Sequence, residues 1–451
     1  MVGAEFSAED VVITSISTDT RTLTPGALFV ALRGENFDGH DFIDAAFSKG
    51  AVAALTTRPV KHPSLQVSDT VIALGQIAKQ HRQQLTARVI AITGSSGKTS
   101  TKDLMACALM EFGTVVKSEK SLNNEIGVPL TILQANEDTD FLVLEMGMRG
   151  LGQIDYLVKL ANPDVSVLLN AGSAHLSELG SRENILKAKS EIFNNTTVNG
   201  FAVTSADDER LVHVSEKLDV EAVLFGQSDR ADIQILDLQV NQAGYPSATL
   251  KVHASKHGIS LHRVGEHQIH NAAAVIAVTT CLQLDIARVI SALETCSEQS
   301  PWRMEIIECD NHITLINDSY NANPESVRAG LKALKDFAGG RRTWAVLGEM
   351  RELGDAAVEE HDAIGRLCVR LDISKTLAVG ENARGIQLGA SHEGSWGQES
   401  LFVSSVEDAI AVLLEEVTTG DVVFIKASRA VGLERVAKAL EEHFQGKNKP
   451  S

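Results

Sequence analysis

No stretch of this sequence approaches the roughly 18 consecutive apolar residues that a membrane-crossing helix needs. Its first ten residues, MVGAEFSAED, carry neither a basic start nor an apolar run, so neither a secretory signal nor stable membrane insertion is expected. Positive charge is scarce: 41 Lys and Arg stand against 59 Asp and Glu, a formal net charge of −18. That sign argues against broad contact with nucleic acid or an anionic membrane. If the substrates are anionic, local cations or metal ions must overcome this field. The five cysteines (Cys107, Cys281, Cys296, Cys309 and Cys368) include no Cys-x-x-Cys pair. An odd, scattered set fits a reducing compartment, with most thiols buried as small apolar groups, and the reading is a cytoplasmic protein. No internal repeat with a period of about 20–50 residues is visible.

What is present is an ordinary globular balance, 44% hydrophobic and 22% charged, in a chain too long for one core. Short apolar runs alternate with segments of helical period. RVIAIT, FLVLE, VSVLLN, FAVTS, TWAVLG and DVVFIKAS each lead into a turn and then a helical pattern. That alternation predicts α/β units with largely parallel sheets. Three domains are expected: 1–85, 86–300 and 301–451. The first carries the strand ALFVAL, a helix around Asp41–Lys49 and a second helix, begun by Asp69, that runs to about Leu85. A Ser/Pro break in TCSEQSPWRMEII marks the second boundary. The final GKNKPS reads as a frayed tail.

The stretch AITGSSGKTSTKDL places a glycine-rich loop between a strand end and a helix start. Backbone N–H groups there face an anion, and the helix dipole adds to the attraction. Gly94 and Gly97 allow close approach. Lys98 can bridge terminal phosphates and Thr99 can offer its hydroxyl to Mg²⁺. Only Ser95 and Ser96 separate the two glycines, two residues fewer than the long phosphate-loop pattern has. Glu145 ends the strand FLVLE, where a carboxylate can hold Mg²⁺ beside the phosphates. Taken alone it also reads as a capping or surface acid. His175, in a loop, and Lys187 and Lys189, on the following helix, are indistinguishable from solvated residues by spacing alone.

These blocks resemble the ATP-dependent Mur ligases, which build the peptide of the cell-wall precursor. The family's phosphate loop is the short form, and here it reads Gly94-Ser95-Ser96-Gly97-Lys98-Thr99. SLNNEIGVPLTIL, LEMGMRGLGQI and NAGSAHLSELGSRENILKAKSEIF are similar to its central-domain blocks, and GEHQIHNAAAVIAV to the block near the adenine. In that block His267 and Asn271 match, whereas Gln268 replaces an asparagine. NDSYNANPESVRAGL, LGEMRELGD and KASRAVGLE resemble the branch that adds D-alanyl-D-alanine to UDP-N-acetylmuramoyl-tripeptide. No Asp-Asn-Pro-Arg acceptor motif of the diamino-acid-adding sister is found.

The resemblance implies a UDP-binding first domain, a central ATPase domain of the P-loop type and a Rossmann-like third domain. It implies ATP and Mg²⁺ as reactant and cofactor. An acyl phosphate forms on the substrate carboxylate and is attacked by the acceptor amine. Lys98 and the loop amides then hold phosphates, and Thr99 and Glu145 hold one Mg²⁺. His175 holds a second Mg²⁺, and Lys189, in preference to Lys187, becomes a carbamate. Arg303 stabilises the transferred phosphate. Asn271, Asp318, Asn321 and Asn323 meet the nucleotide. Asn123 and Asn124 line the phosphate or muramoyl-peptide site. Lys426, Ser428 and Arg429 take the acceptor's carboxylate, and Asp19, Thr20, Arg21 and His40 take the UDP end. A monomer is expected, with an open form that closes around substrates. The rivals are the sister ligase, a folate polyglutamate ligase, and a nucleotide-binding subunit without catalysis.

Overall fold

The computed structural model describes residues 5–6, 11–119, 121–297, 300–395 and 397–445; the expected frayed tail, Gly446–Ser451, lies outside them. The strands form three separate sheets. The first holds β1 (Glu5–Phe6), β2 (Ser15–Ser17), β3 (Ala27–Val30), β4 (Ala53–Thr56) and β5 (Ser64–Gln66) in the order β1-β5-β4-β3-β2. It is parallel except for β1.

The second sheet holds β6 (Arg88–Thr93), β7 (Val115–Lys117), β8 (Phe141–Glu145), β9 (Val165–Leu168), β10 (Phe201–Ser205), β11 (Glu221–Gly226), β12 (Ile233–Val240), β13 (Pro246–Val252) and β14 (Ser255–Ser260). Their order is β14-β13-β12-β11-β10-β9-β6-β8-β7. Pairing is parallel from β7 across to β12, then antiparallel through β13 and β14. The third sheet holds β15 (Glu305–Glu308), β16 (Thr314–Asn317), β17 (Thr343–Gly348), β18 (Lys375–Val379), β19 (Ser400–Val403) and β20 (Val422–Lys426), in the order β15-β16-β20-β17-β18-β19. Only β15 is antiparallel in it.

The apolar runs read as strands are all strands, and buried ones: FLVLE, VSVL and TWAVLG are buried at every position. Such runs mark parallel sheets covered on both faces. On one face of the central sheet lie the helices Lys98–Met110, His267–Cys281 and Ile286–Thr295, and on the other Gln153–Ala161 and Arg182–Ser190. His267–Cys281 is apolar around most of its circumference, and Ala272–Val278 are all buried, as expected of a helix enclosed by protein. Each fully buried Leu, Ile or Val side chain contributes about 1.5–3 kcal/mol. Asp69 caps the helix Thr70–Arg82 by accepting from Val71 and Ile72 N–H. The helix expected around Asp41 starts at Ile43, after a 3-10 turn over Gly39–Phe42. The antiparallel β12–β14 extension was not anticipated, because β12 alternates with solvent along its second half, β14 is mostly exposed, and neither carries a long apolar run.

One pair of cysteines is joined, which the spacing did not indicate. Cys107 and Cys296 form a disulfide across 189 residues of sequence, and only Cys281, Cys309 and Cys368 are free. Cys107 lies on the helix Lys98–Met110, and Cys296 caps the end of Ile286–Thr295, which packs beside it. Spacing along the chain cannot reveal a pair that only helix packing creates. Of the other three, Cys281 and Cys368 are buried as small apolar groups, as expected, and Cys309 is half-buried. Among the described residues, no helix is long and apolar enough to cross a membrane.

Candidate active site

Three neighbouring strands of the central sheet, β9, β6 and β8, end at one crevice, where open α/β sheets place ligands. The phosphate loop follows β6. Gly97 caps the helix Lys98–Met110 with φ of 80°. That backbone favours glycine, and a Cβ there would stand 2.8 Å from Asn271 Oδ1. Asn170, just after β9, takes the loop from the other side. Its Oδ1 accepts from Ser95 and Ser96 N–H at 2.9 and 3.0 Å. Gly172 N–H donates to Ser95 Oγ at 2.9 Å. The loop is thus shaped by side-chain bonds before any phosphate is considered.

Glu145 ends β8 and is buried. Its Oε2 accepts from Thr99 Oγ1 at 2.9 Å, and its Oε1 from Asn123 Nδ2 at 2.8 Å. Thr99, Glu145 and Asn123 therefore converge, which supplies hard oxygen donors of the kind Mg²⁺ takes. Lys98 Nζ donates to Gly94 O at 2.7 Å. Burial lowers its pKa, with Glu145 acting in the opposite direction. Asn124 lines the same cavity, and its Oδ1 also accepts from Gly127 N–H at 2.9 Å.

His175 sits just before the short helix Leu176–Leu179 with φ of 69°. Its Nδ1 lies 2.7 Å from a Glu352 carboxylate oxygen of the third domain. His175, Glu178 and Glu352 bring potential ligand atoms within 4.8 Å of one another. Lys189 is 1% exposed. Its pKa falls well below the usual lysine value, first through burial and then through Lys98 nearby. Lys187, on the same helix, lies instead on an outer groove with Arg210 and Lys217.

The third domain docks directly onto this crevice. Arg303 Nη2 donates to Thr99 Oγ1 at 3.3 Å. Asn323 caps the helix Pro324–Ala338 and donates from Nδ2 to Ser95 O at 3.1 Å. Glu325 accepts from Ser173 N–H and Oγ at 3.0 and 2.9 Å. Ser177 N–H donates to Glu352 O at 3.1 Å. Between the domains lies a cavity of about 940 Å³, lined by the loop, Glu145, His175, Asn271, Arg303, Asp318, Asn321 and Asn323 among others.

Other expected residues fall differently. Lys426 lines the cavity, but its ammonium is bound to Asp318 and, at 2.9 Å, to Asn321 O. Burial lowers its pKa and Asp318 counters this. Ser428 Oγ accepts from Arg351 N–H, and Arg429 pairs with Glu434 and lies over Trp302. Neither lines the cavity. Asp19, Thr20, Arg21 and His40 lie in the first domain, outside it. Asp19 binds Arg21, which holds its pKa down to about 2, and Thr20 O accepts from Lys49. His40 is buried between Asp38 and the Thr57 N–H, an internal brace of its loop. Sequence reasoning missed Asn170, Glu325 and Glu352 as site residues. Only the position of Asn170 at a strand end hinted at it.

Three family descriptions match in chain order: Mur ligase family, catalytic domain, over residues 12–106; Mur ligase middle domain over 92–279; and Mur ligase, glutamate ligase domain, over 302–429. A UDP-N-acetylmuramoyl-tripeptide–D-alanyl-D-alanine ligase of Mycobacterium tuberculosis is 38% identical, covering 97% of this chain and 94% of its own. The crystal structure of MurF from Acinetobacter baumannii superposes with a TM-score of 0.86 at 30% identity, over 95% of this chain and 94% of its own. That of MurF from Thermotoga maritima in complex with ADP gives 0.84 at 31% identity, over 98% and 100%. With its phosphate loop, its Thr99–Glu145 pair and its three sheets in that order, the chain belongs to the Mur ligase family.

Proposed function

We propose that this protein joins D-alanyl-D-alanine to UDP-N-acetylmuramoyl-tripeptide at the expense of ATP, in peptidoglycan precursor synthesis. A carboxylate and an amine do not condense in water, because the carboxylate is a poor electrophile. Transfer of the γ-phosphoryl group to a carboxylate oxygen makes an acyl phosphate. The acceptor amine attacks its carbonyl carbon, the carbon–oxygen bond to phosphate breaks, and the amine loses a proton. The products are the amide, ADP and phosphate.

Phosphoryl transfer asks a protein mainly for charge neutralisation and in-line positioning. Lys98 and the loop amides would hold the β- and γ-phosphates, with Arg303 facing the transferred group. Thr99 and Glu145 fit one Mg²⁺, and His175 fits a second. Bound there, Mg²⁺ would neutralise charge on the phosphate oxygens. Lys189 is buried with a depressed pKa, which supports a neutral amine able to react with CO₂, releasing a proton and leaving a carbamate. Asn271, Asp318, Asn321 and Asn323 flank the nucleotide and Asn123 and Asn124 the phosphate end or peptide. The UDP end reaches the first domain near Asp19, Thr20, Arg21 and His40. Lys426 serves the nucleotide side through Asp318, and Ser428 and Arg429, outside the cavity lining, remain the groups read for the acceptor carboxylate. Use of ATP and a UDP-linked substrate supports the cytoplasm.

The observation that carries this reading is the convergence of Lys98, Thr99, Glu145 and Arg303 on one cavity, in a chain 38% identical to a ligase of that name. Phosphate release should require UDP-tripeptide, D-alanyl-D-alanine and ATP together. Release with a diamino acid and UDP-dipeptide instead would assign the sister activity, and no dependence on any acceptor would refute the ligase.

A further inference from the structure

Arg303 reaches the phosphate loop from an unusual piece of backbone. Trp302 and Met304, on either side of it, have φ of 60° and 52°, a left-handed conformation that bulky residues seldom take. Such backbone persists only where its surroundings over-determine it. Here they do. Trp302 N–H donates to Glu305 Oε2 at 3.2 Å, and Met304 N–H to Asp318 Oδ1 at 3.2 Å. The Arg429 guanidinium lies 4.2 Å from the Trp302 ring centroid.

Tyr320 makes two further contacts, and no role in the chemistry described so far falls to it. Its N–H donates to Trp302 O at 3.2 Å. Its ring lies under the Arg303 guanidinium, with 4.1 Å between the centroid and Cζ. From that seat Arg303 Nη2 reaches Thr99 Oγ1 at 3.3 Å. A planar cation on an aromatic face is held by the ring quadrupole and keeps its edge N–H groups pointing outward. Arginine on a flexible stem would otherwise sample many rotamers beside the phosphates.

We propose that Tyr320 is a positioning residue that holds the Arg303 guanidinium flat and aims it at the transferred phosphoryl group. It acts through Arg303 and forms no bond in the reaction. The ring face does this, so the hydroxyl is dispensable. The inference rests on the ligase reading for what Arg303 faces.

The test compares the wild type with Tyr320→Phe, Tyr320→Leu, Arg303→Lys and the Tyr320→Leu/Arg303→Lys double variant. Tyr320→Met stands in should the leucine variant unfold. Two readouts are taken: kcat and KM for ATP in the full reaction, and affinity for Mg·ADP with and without aluminium fluoride, a mimic of the phosphoryl group in flight. Tyr320→Leu should keep ADP affinity and KM, and lose about tenfold in kcat and in the gain from aluminium fluoride, the scale of one desolvated cation–ring contact. Tyr320→Phe should restore most of both. Adding Tyr320→Leu to Arg303→Lys should cost nothing further. The proposal fails if Tyr320→Leu costs as much beside Arg303→Lys as alone, or if its loss is in ADP affinity with kcat kept, which would make the ring a nucleotide platform. It also fails if Tyr320→Phe is as damaged as the leucine variant. A wild type that made no amide from its three reactants would sink the ligase reading, while the aluminium fluoride comparison would still decide the role of Tyr320.

Discussion

Thr99 and Glu145, 46 residues apart and on different elements, meet through a 2.9 Å hydrogen bond between hydroxyl and carboxylate. Both are buried, and Asn123 Nδ2 holds the second carboxylate oxygen at 2.8 Å. A fixed anion with a neutral oxygen donor beside it is a half-built cradle for a hard cation. Glu145→Gln keeps the shape and removes the charge. The Mg²⁺ concentration for half-maximal activity should rise at least about tenfold, the lower end of what losing even an outer partner costs a metal site. An unchanged Mg²⁺ titration would remove Glu145 from the metal site.

Lys98 occupies the first turn of its helix and is bonded back to Gly94 O. In its proposed role, replacing it with alanine would remove a cation from the phosphates at the moment charge moves. Turnover should fall on the order of 10²–10³-fold or more, the scale for losing one transition-state donor. Near-normal turnover in a folded Lys98→Ala protein would overturn its role.

Burial keeps the Lys189 amine from holding a proton as an ordinary lysine does. If it is carbamoylated, activity should drop when CO₂ and bicarbonate are stripped from the buffer and return when bicarbonate is added. Lys187→Ala should leave that response intact, because Lys187 is exposed on the outer groove. Full activity without CO₂ would dismiss the carbamate.

Glu325 joins the third domain to the central one through both Ser173 bonds. Hydrogen bonds to a charged group contribute about 1.5–3 kcal/mol net. Glu325→Ala should therefore loosen the docking, increase the radius of gyration in small-angle scattering and raise KM for ATP. A scattering curve identical to the wild type's would show that Asn323 and Glu352 suffice.

Burial pushes the His267 pKa down to about 4 from 6.5, against a smaller upward pull from Asp318. Between those values the unfolded chain binds a proton that the folded ring does not. This part of the stability is complete above pH 6.5 and declines as pH falls toward 4, below which both states are protonated. From about pH 7 to about pH 4.5 the wild type should lose about 2 kcal/mol more than His267→Asn in chemical unfolding. Parallel pH profiles would show that His267 is not kept neutral.

The layered α/β plan was written in the sequence wherever an apolar run was fully buried, because a parallel strand covered on both faces must be apolar at every position. The phosphate loop was equally legible, since a strand end, two glycines, a lysine and a helix start make an anion site from local backbone alone. The pairing of Thr99 with Glu145, the brace of Asn170 under the loop, and the reach of Glu325 and Glu352 across domains were not. Nor was the Cys107–Cys296 bond, nor the internal duties of His40 and Lys426. Each depends on which surfaces pack, and a polar side chain in sequence looks the same whether it ends in water or against a partner from a distant segment. Local chemistry thus determined where an anion site lies; only the docking of separate sheets decided which charges face that crevice.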